Sequence, residues 1–341
     1  MSELSMIGFD LAKSVFQVHG IDEAGRVVVK RQLRRAEVLR FFAGLRCCLV
    51  GMEACASAHY WARELVKLGH DVRLLPPAYV KPYVKRGRKN DAVDAAAICE
   101  AMQRPHLQVV PIKTEAQQAV LSLHRVRSLL MTQRTMLGNA LRGHLAEFGV
   151  VAPQGNAGLG RLVILALDAE DCALPQAARE ALAMLAMQWR ETDAKIAAID
   201  QEILTCHRAD ADSRRVATIP GIGPLTASAL VAAIGDPGRF ETGRQFAAWL
   251  GLVPRQNSSG GKERLGGITK MGDRYLRSLL VVGATAMLRH RQKEQGTWLA
   301  NLRARKSARQ VTVAVANKMA RIAWAILAKG GVYQDPAALA A

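Results

Sequence analysis

The sequence predicts a mixed α/β domain at the N-terminus, followed by two mostly helical regions. Short apolar runs separated by turn residues dominate residues 1–108. Two long stretches with helical spacing lie within 109–212, and residues 213–341 are helical and interrupted by glycines. A length of 341 residues is a soft prior for about two domains. The change of pattern near residue 212 divides the helical part again, so we expect three domains.

The order of elements in residues 1–108 is specific. Apolar runs of strand length occupy residues 6–11, 15–21, 26–33, 47–52 and 72–75. Helical spacing occupies 36–45, 58–68 and 91–102. The resulting order, β-β-β-α-β-α-β-α, is typical of the ribonuclease-H-like fold.

Two long helices are predicted over residues 115–148 and 176–206. The first would extend about 50 Å at 1.5 Å per residue. Two alternatives remain open for this pair: an antiparallel arm or coiled coil between chains, and a helical domain packed on itself.

The charge of the chain points to a polyanionic partner. Lys and Arg number 47 against 29 Asp and Glu, which gives a net charge of +18. Nucleic acid is favoured over a membrane, because neutralised phosphates release counterions and no helix is purely basic on one face and apolar on the other. The six cysteines form no C-x-x-C pair, and the N-terminus has no secretory pattern. A cytoplasmic, nucleic-acid-binding protein with no membrane partner is expected.

Four carboxylates are candidate metal ligands, and the one inside the first strand, Asp10, is costly there unless something compensates it. Asp10 lies in the first strand, Glu53 ends the fourth, and Asp91 and Asp94 share a helix face. A pair of Mg²⁺ or Mn²⁺ ions would compensate them and clamp a phosphodiester. Taken alone, each acid has an ordinary explanation: Asp91 as a helix cap, for example, or Glu53 as an exposed strand end.

Two further segments are candidates for phosphate contact. The first is a basic loop directly before the acid pair: Lys81, Lys85, Arg86, Arg88 and Lys89. The second, residues 219–227, has the pattern of a helix-hairpin-helix turn, in which Gly221 and Gly223 would let backbone amides hold a phosphate. The alternative for this turn is a tight connection that touches no ligand.

A serine doublet lies in a loop that is rich in glycine and positive charge. Ser258 and Ser259 precede Gly260 and Gly261. The nearby cations are Arg255, Lys262, Arg264 and Lys270. A serine there is a possible nucleophile if its hydroxyl is activated. Composition alone favours an ordinary flexible loop.

These motifs together resemble a known family. The segments are G-x-D-x-A-K from Gly8, M-E-A-C-x-x-A-H-Y-W from Met52, V-K-P-Y-V-K from Val80 and K-N-D-A-x-D-A from Lys89. They resemble the DEDD transposases of bacterial insertion sequences, the family numbered one-ten and its eleven-eleven subgroup. The resemblance covers nearly the whole chain.

The resemblance implies a RuvC-like domain whose acids Asp10, Glu53, Asp91 and Asp94 bind the metal ions. It also implies that a serine before the glycines attacks DNA, and Ser259, adjacent to Gly260, is the preferred candidate. It further implies a non-coding guide RNA and an active site shared between protomers of a homodimer or homotetramer.

Two other functions remain as alternatives. One is a junction-resolving nuclease of the same fold that uses water, and the other is a non-catalytic nucleic-acid-binding protein. His59, His70 and His124 are predicted to be packing residues rather than general bases.

Overall fold

A computed structural model describes residues 3–84, 91–104, 107–168, 174–262, 264–290 and 298–334, with the backbone alone at 91 and 92. The chain divides into two compact units, which we call unit 1 (up to Ala116) and unit 2 (from Gln117). The predicted domain boundaries after residues 108 and 212 stay predictions.

Unit 1 is built on a five-stranded mixed sheet. The strands are β1 (Met6–Asp10), β2 (Val15–Ile21), β3 (Val27–Arg34), β4 (Leu49–Glu53) and β5 (Asp71–Leu75). Their order across the sheet is β3-β2-β1-β4-β5. The first three form an antiparallel meander, β4 is parallel to β1, and β5 is parallel to β4. The predicted mixed α/β domain is confirmed, with the predicted order of strands along the chain.

The helices of unit 1 cover both faces of the sheet. They are α1 (Val38–Ala43), α2 (Ala58–Lys67), α3 (Pro77–Val80) and α4 (Asp91–Met102). On one face, Phe9 packs against Phe16 and Phe42 with ring centroids 5.5 and 5.1 Å away. On the other face, α4 packs against β1, β2 and β4. Alternate strand residues therefore face two different cores, as the pleat requires.

Unit 2 is mostly helical, as predicted. Its helices are α5 (Glu115–Ala146, whose first two residues belong to unit 1), α6 (Asn156–Leu167), α7 (Gln176–Ala209), α8 (Ala211–Val216), α9 (Pro224–Ile234), α10 (Gly243–Trp249), α11 (Arg274–His290), α12 (Trp298–Arg305) and α13 (Ala308–Lys329). Two short strands, β6 (Pro254–Gln256) and β7 (Leu265–Ile268), form an antiparallel hairpin.

The long helices α5 and α7 run antiparallel within one chain. Arg127 of α5 forms an ion pair with Asp200 of α7. About two turns later on α5, Arg134 forms an ion pair with Asp193, which comes before Asp200 on α7. Helix α6 packs on α7 and completes a small core with both. The role of this pair in assembly between chains stays a prediction.

Helix α13 is the centre of the largest core of unit 2. It packs on α10 and α11, and seven of its residues are buried. By length and composition, α13 could also cross a membrane, and among the described residues it is the one helix of which this is true. Its packing in the core accounts for its apolar character. The expected absence of a membrane partner stays a prediction.

His124 ties the start of α5 to the C-terminal core. Its ring nitrogens lie 3.0 Å from the Tyr275 hydroxyl on α11 and 3.0 Å from the Ser228 hydroxyl on α9. Burial, with a smaller effect of the Arg127 charge, lowers the pKa of His124 to about 4. The ring is therefore neutral in the folded protein at neutral pH, and both nitrogens are used for packing, as predicted.

The first prediction concerns the pH dependence of stability. The unfolded chain takes up a proton at His124 near pH 6.5, whereas the folded chain does so only near pH 4. The stability contribution is thus complete above pH 6.5 and is lost as pH falls to about 4, by on the order of 3 kcal/mol. His124→Gln should reduce this loss in urea unfolding, at some cost in stability at neutral pH. The exposed His144, changed to Gln, is the control. An unaltered pH profile in His124→Gln would contradict the assignment.

Candidate active site

Two glycines in register let α4 lie directly on the sheet. Gly8 of β1 and Gly51 of β4 are partners in the parallel ladder. A Cβ atom added at Gly8 would lie 2.1 Å from the Ala95 carbonyl oxygen, and one at Gly51 would lie 1.7 Å from the Met102 sulfur. Any larger residue at either position would displace α4 or its side chains.

The acids of the two strands lie two residues beyond these glycines. Because strand residues alternate between faces, Asp10 and Glu53 lie on the α4 side, at the carboxyl ends of adjacent parallel strands. Asp94 directly precedes Ala95, whose carbonyl covers Gly8. The backbone contact therefore fixes where Asp94 lies relative to the strand ends.

Electrostatic effects indicate that these acids are neighbours. Burial raises the pKa of Glu53, and the charge of Asp94 raises it further. Burial also raises the pKa of the Cys55 thiol, with added contributions from the charges of Glu53 and Asp10. Within the described part of the chain, neither Glu53 nor Asp94 forms an ion pair with a basic side chain. Like charges are thus held near one another at this end of the sheet.

The fourth acid cannot be placed in the same detail. Asp91 begins α4, but its side chain lies outside the described residues. Among described side chains, no three Asp, Glu, His or Cys residues are grouped closely enough to hold a metal ion. The four-carboxylate cluster and its role in metal binding stay predictions.

Cys55 is a neighbour of the acids that sequence reasoning did not single out. It follows β4 by two residues, and its sulfur donates a hydrogen bond to the Ala56 carbonyl at 3.4 Å. The signal available in the sequence was its place in the same short motif as Glu53. A thiol at this position is a soft donor beside hard oxygen donors.

The basic segment before α4 is described only in part. Lys81 is exposed in a short 3₁₀ helix, Lys81–Tyr83. The remaining predicted contacts, Lys85, Arg86, Arg88 and Lys89, lie outside the described residues.

The serine doublet lies at the tip of the β6–β7 hairpin. Gly260 and Gly261 have φ of +55° and +74°, as in a type I′ turn, and the Lys262 amide donates to the Ser259 carbonyl at 3.1 Å. The Ser258 hydroxyl accepts a hydrogen bond from the Arg264 amide at 3.2 Å. Among the described residues, nothing hydrogen-bonds to the Ser259 hydroxyl, so the two serines differ in their surroundings, and the choice of Ser259 over Ser258 stays a prediction.

Four cations lie in the hairpin or directly after it. Arg255, Lys262, Arg264 and Lys270 are all exposed. The base of the hairpin is held firmly, since the Thr269 amide donates to the Val253 carbonyl at 2.9 Å. The tip thus presents a serine and positive charge to solvent from a fixed base.

The two glycines of the turn between α8 and α9 have different surroundings. Gly221 has φ of +88°, and a Cβ there would lie 2.8 Å from the Gly283 carbonyl of α11. Gly223 is exposed, with no atom within 4 Å of an added Cβ. Packing against α11 explains Gly221. The predicted phosphate contacts of both glycines stay predictions.

Comparison with known proteins identifies the family. Residues 7–149 match the family model of DEDD transposases of the IS110 group, and residues 213–298 match that of the transposase IS116/IS110/IS902 family. The "Probable family 20 transposase" of Pseudomonas aeruginosa is 52% identical over 97% of this chain and 99% of its own length. The chain belongs to this transposase family.

Two further relatives are proteins of named insertion sequences. The transposase for IS1111A of Coxiella burnetii is 40% identical over 98% of this chain and 92% of its own length. The transposase for IS1328 of Yersinia enterocolitica is 38% identical over 98% and 99%. This transposase is therefore an enzyme that cleaves and rejoins DNA for insertion-sequence mobility.

The remaining candidate histidines of the transposase are packing residues, as predicted. The Nδ1 atom of His70 accepts from the Cys48 amide at 3.3 Å, and its Nε2 atom lies 3.1 Å from the Phe42 carbonyl. The Nδ1 atom of His59 accepts from the Lys113 amide at 3.2 Å. Both rings join segments that are distant in sequence.

The second prediction tests the glycine contact beneath α4. Gly8→Ala should destabilise unit 1 by about 1–3 kcal/mol, because a backbone carbonyl cannot move aside, and should sharply reduce DNA cleavage. Gly51→Ala should cost less, since the Met102 side chain can change rotamer. The control is Gly143→Ala in α5, where an added Cβ has open space and should stabilise by roughly 0.5–1 kcal/mol. Equal stability of Gly8→Ala and the native chain in thermal unfolding would refute the contact.

Proposed function

We propose that this transposase cleaves DNA with Ser259 as nucleophile, at a divalent metal site held by Asp10, Glu53, Asp91 and Asp94. The single observation that carries the proposal is the hairpin tip: the Ser258 hydroxyl accepts a hydrogen bond, whereas Ser259 is exposed in a hairpin that also carries exposed cations. A phosphate at the hairpin tip could approach the serine closely, and the positive charge there would stabilise the charge that develops on the phosphate.

The fold of unit 1 supports a ribonuclease-H-like, RuvC-like assignment. The antiparallel meander followed by two parallel strands, with acids at the ends of β1 and β4, has the order expected of that fold. The resemblance of the motifs to DEDD transposases assigns the same acids. The Gly-rich turn before α9 is proposed as a helix-hairpin-helix element.

Carboxylate oxygens are ligands that divalent cations prefer. The charge of Asp94 adds to the burial that raises the pKa of Glu53, and no described basic side chain forms an ion pair with Glu53, so Mg²⁺ or Mn²⁺ would relieve the repulsion. Such an ion would polarise the scissile phosphate and stabilise the charge that develops on it. Asp10 and Glu53 would hold it from the sheet, and Asp91 and Asp94 from α4.

The serine step is a transesterification. The Ser259 oxygen forms a bond to phosphorus while the bond from phosphorus to the leaving deoxyribose oxygen breaks. The serine proton passes to a base at the carboxylate site, and the leaving oxygen takes up a proton. Rejoining reverses these events with another DNA hydroxyl, so no external energy source is needed.

The serine and the acids belong to different units of the chain. We propose that the serine of one protomer acts with the carboxylates of another, in a homodimer or homotetramer. We also propose a structured non-coding guide RNA, which the family resemblance implies. Phosphate contacts by the basic loop, which directly precedes the acid pair, and a cytoplasmic location are proposed from the sequence. The charge of +18 supports a large polyanionic partner.

The third prediction concerns the nucleophile. Ser259→Ala should abolish strand cleavage, whereas DNA binding measured by fluorescence anisotropy should persist, because the cationic hairpin is intact. Ser258→Ala loses only the hydrogen bond to the Arg264 amide and should retain activity. Full activity of Ser259→Ala with loss in Ser258→Ala would move the role by one residue. Full activity of the double variant would favour hydrolysis by water, as in a junction-resolving nuclease.

A mixing experiment tests the shared site. Ser259→Ala and Asp10→Ala proteins, each inactive alone, should recover part of the cleavage when combined, since one mixed site holds both intact halves. Absence of recovery, with mixed oligomers demonstrated by tagged copies, would place the serine and carboxylates of one chain together.

The fourth prediction concerns the metal. Mg²⁺ or Mn²⁺ should raise the thermal unfolding midpoint of the native chain, corresponding to about 2.7 kcal/mol at 100 times Kd. Glu53→Gln and Asp94→Asn should lose this response. In the absence of metal, both variants should be at least as stable as the native chain, because each removes one of two charges that repel each other. Glu100→Gln, an exposed acid on the same helix, is the control. An undiminished metal response in Glu53→Gln would remove that residue from the site.

A further inference from the structure

An open groove lies along α13 in unit 2. Its volume is about 1370 Å³, and it runs beside the exposed side of the helix. From Arg309 to Lys329 the helix extends about 30 Å. The groove is part of neither the carboxylate site nor the turn before α9, so the proposed catalytic reaction does not account for it.

The groove carries positive charge along a lining that is otherwise largely apolar. Residues 298–334 contain seven Lys and Arg and no Asp or Glu. Among the described residues, five of these cations and no carboxylate line the groove: Lys306, Arg309, Lys318, Arg321 and Lys329. Such a surface complements a polyanion, because its positive charges can neutralise phosphates.

Aromatic rings lie among these cations. Trp298, Trp324 and Tyr333 all line the groove. The Trp298 ring is 46% exposed, and the Lys318 ammonium lies 4.5 Å from its centroid. The Trp324 indole is fixed by its N–H, which donates to the Pro237 carbonyl at 3.2 Å. Rings held beside positive charge are the surfaces on which unpaired bases stack.

One end of the groove is formed by the base of the serine hairpin. Pro254, Gly266 and Ile268 line it there. The Asn317 side-chain amide of α13 donates to the Leu252 carbonyl, just before β6, at 3.2 Å. A strand held along α13 would therefore lead towards the hairpin that carries Ser259.

We propose that this groove binds a single strand of nucleic acid, with its phosphates on the α13 cations and its bases against the tryptophans. Duplex DNA is the less suitable occupant, because its bases are paired and cannot reach the rings. The five cations and the length of the helix suit several nucleotides, within the roughly 4–16 that comparable single-strand sites cover. The proposal goes beyond the catalytic role and does not need Ser259 or the carboxylates.

The test is binding of fluorescent oligonucleotides to the full chain in the presence of a chelator, so that no cleavage occurs. The probes are an oligothymidylate and an oligouridylate of about 15 nucleotides, and a duplex of equal length. Both single strands should bind and quench tryptophan fluorescence. Equal affinity would indicate a site for either sugar, and tighter oligouridylate binding would indicate an RNA strand; either outcome supports the groove.

The variants distinguish binding in the groove from a non-specific effect of the protein's net charge. The double variant Lys318→Ala/Arg321→Ala should make the slope of log K against log salt concentration less steep by about 1.4, because each lost phosphate contact accounts for about 0.7. Here K is the association constant for the single strand. Trp298→Ala should weaken single-strand binding by about 5- to 100-fold. The control, Arg161→Ala/Arg190→Ala on exposed positions of α6 and α7, removes the same charge and should have little effect.

Three results would overturn the proposal. One is an equal loss in the control, another is an unchanged affinity in Trp298→Ala, and the third is a duplex bound as tightly as the single strands. Circular dichroism checks that each variant is folded. Because Ser259→Ala leaves the groove intact, loss of cleavage in that variant and loss of strand binding in these variants are separate findings.

Discussion

The contact between α4 and the sheet is the constraint on which the candidate carboxylate site depends. Glycine at position 8 allows the helix backbone to approach β1 closely, and glycine at position 51 leaves room for the Met102 side chain against β4. The same contact places Asp94 near the ends of β1 and β4, where its charge raises the pKa of Glu53. Packing and electrostatics are therefore opposed there: the contact that builds the core of unit 1 also concentrates negative charge at its edge.

Much of unit 1 could be predicted because its elements are encoded locally. Apolar runs of four to eight residues, separated by glycine, proline or acidic turns, correspond to the strands. The placement of Asp10 in the first strand and of Glu53 at the end of the fourth followed from the same pattern. The bounds of the long helices were predicted to within a few residues, since periodicity is most informative over many turns.

What could not be predicted depends on contacts between distant parts of the chain. His124 contacts the Tyr275 hydroxyl although the two residues are 151 positions apart in the sequence, and no local pattern predicts that contact. Gly221 and Gly223 look equivalent in the sequence, yet only Gly221 is pressed against Gly283. The choice between Ser258 and Ser259 was left to adjacency with Gly260, whereas the hydrogen bond from the Arg264 amide is a physical reason. The groove along α13 required the position of the hairpin, which sequence alone does not give.

The hairpin has a consequence for control of the reaction. Its strands have three and four residues. Every described residue from Pro254 to Gly267 is exposed, so no other element covers the ribbon there. A two-stranded ribbon without a covering layer is only marginally stable in water. A polyanion that neutralises its cations would supply the missing support. If Ser259 is the nucleophile, as proposed, its positioning would then depend on the presence of substrate, and a copy of the enzyme without substrate would be a poor catalyst of unwanted strand breaks in its host.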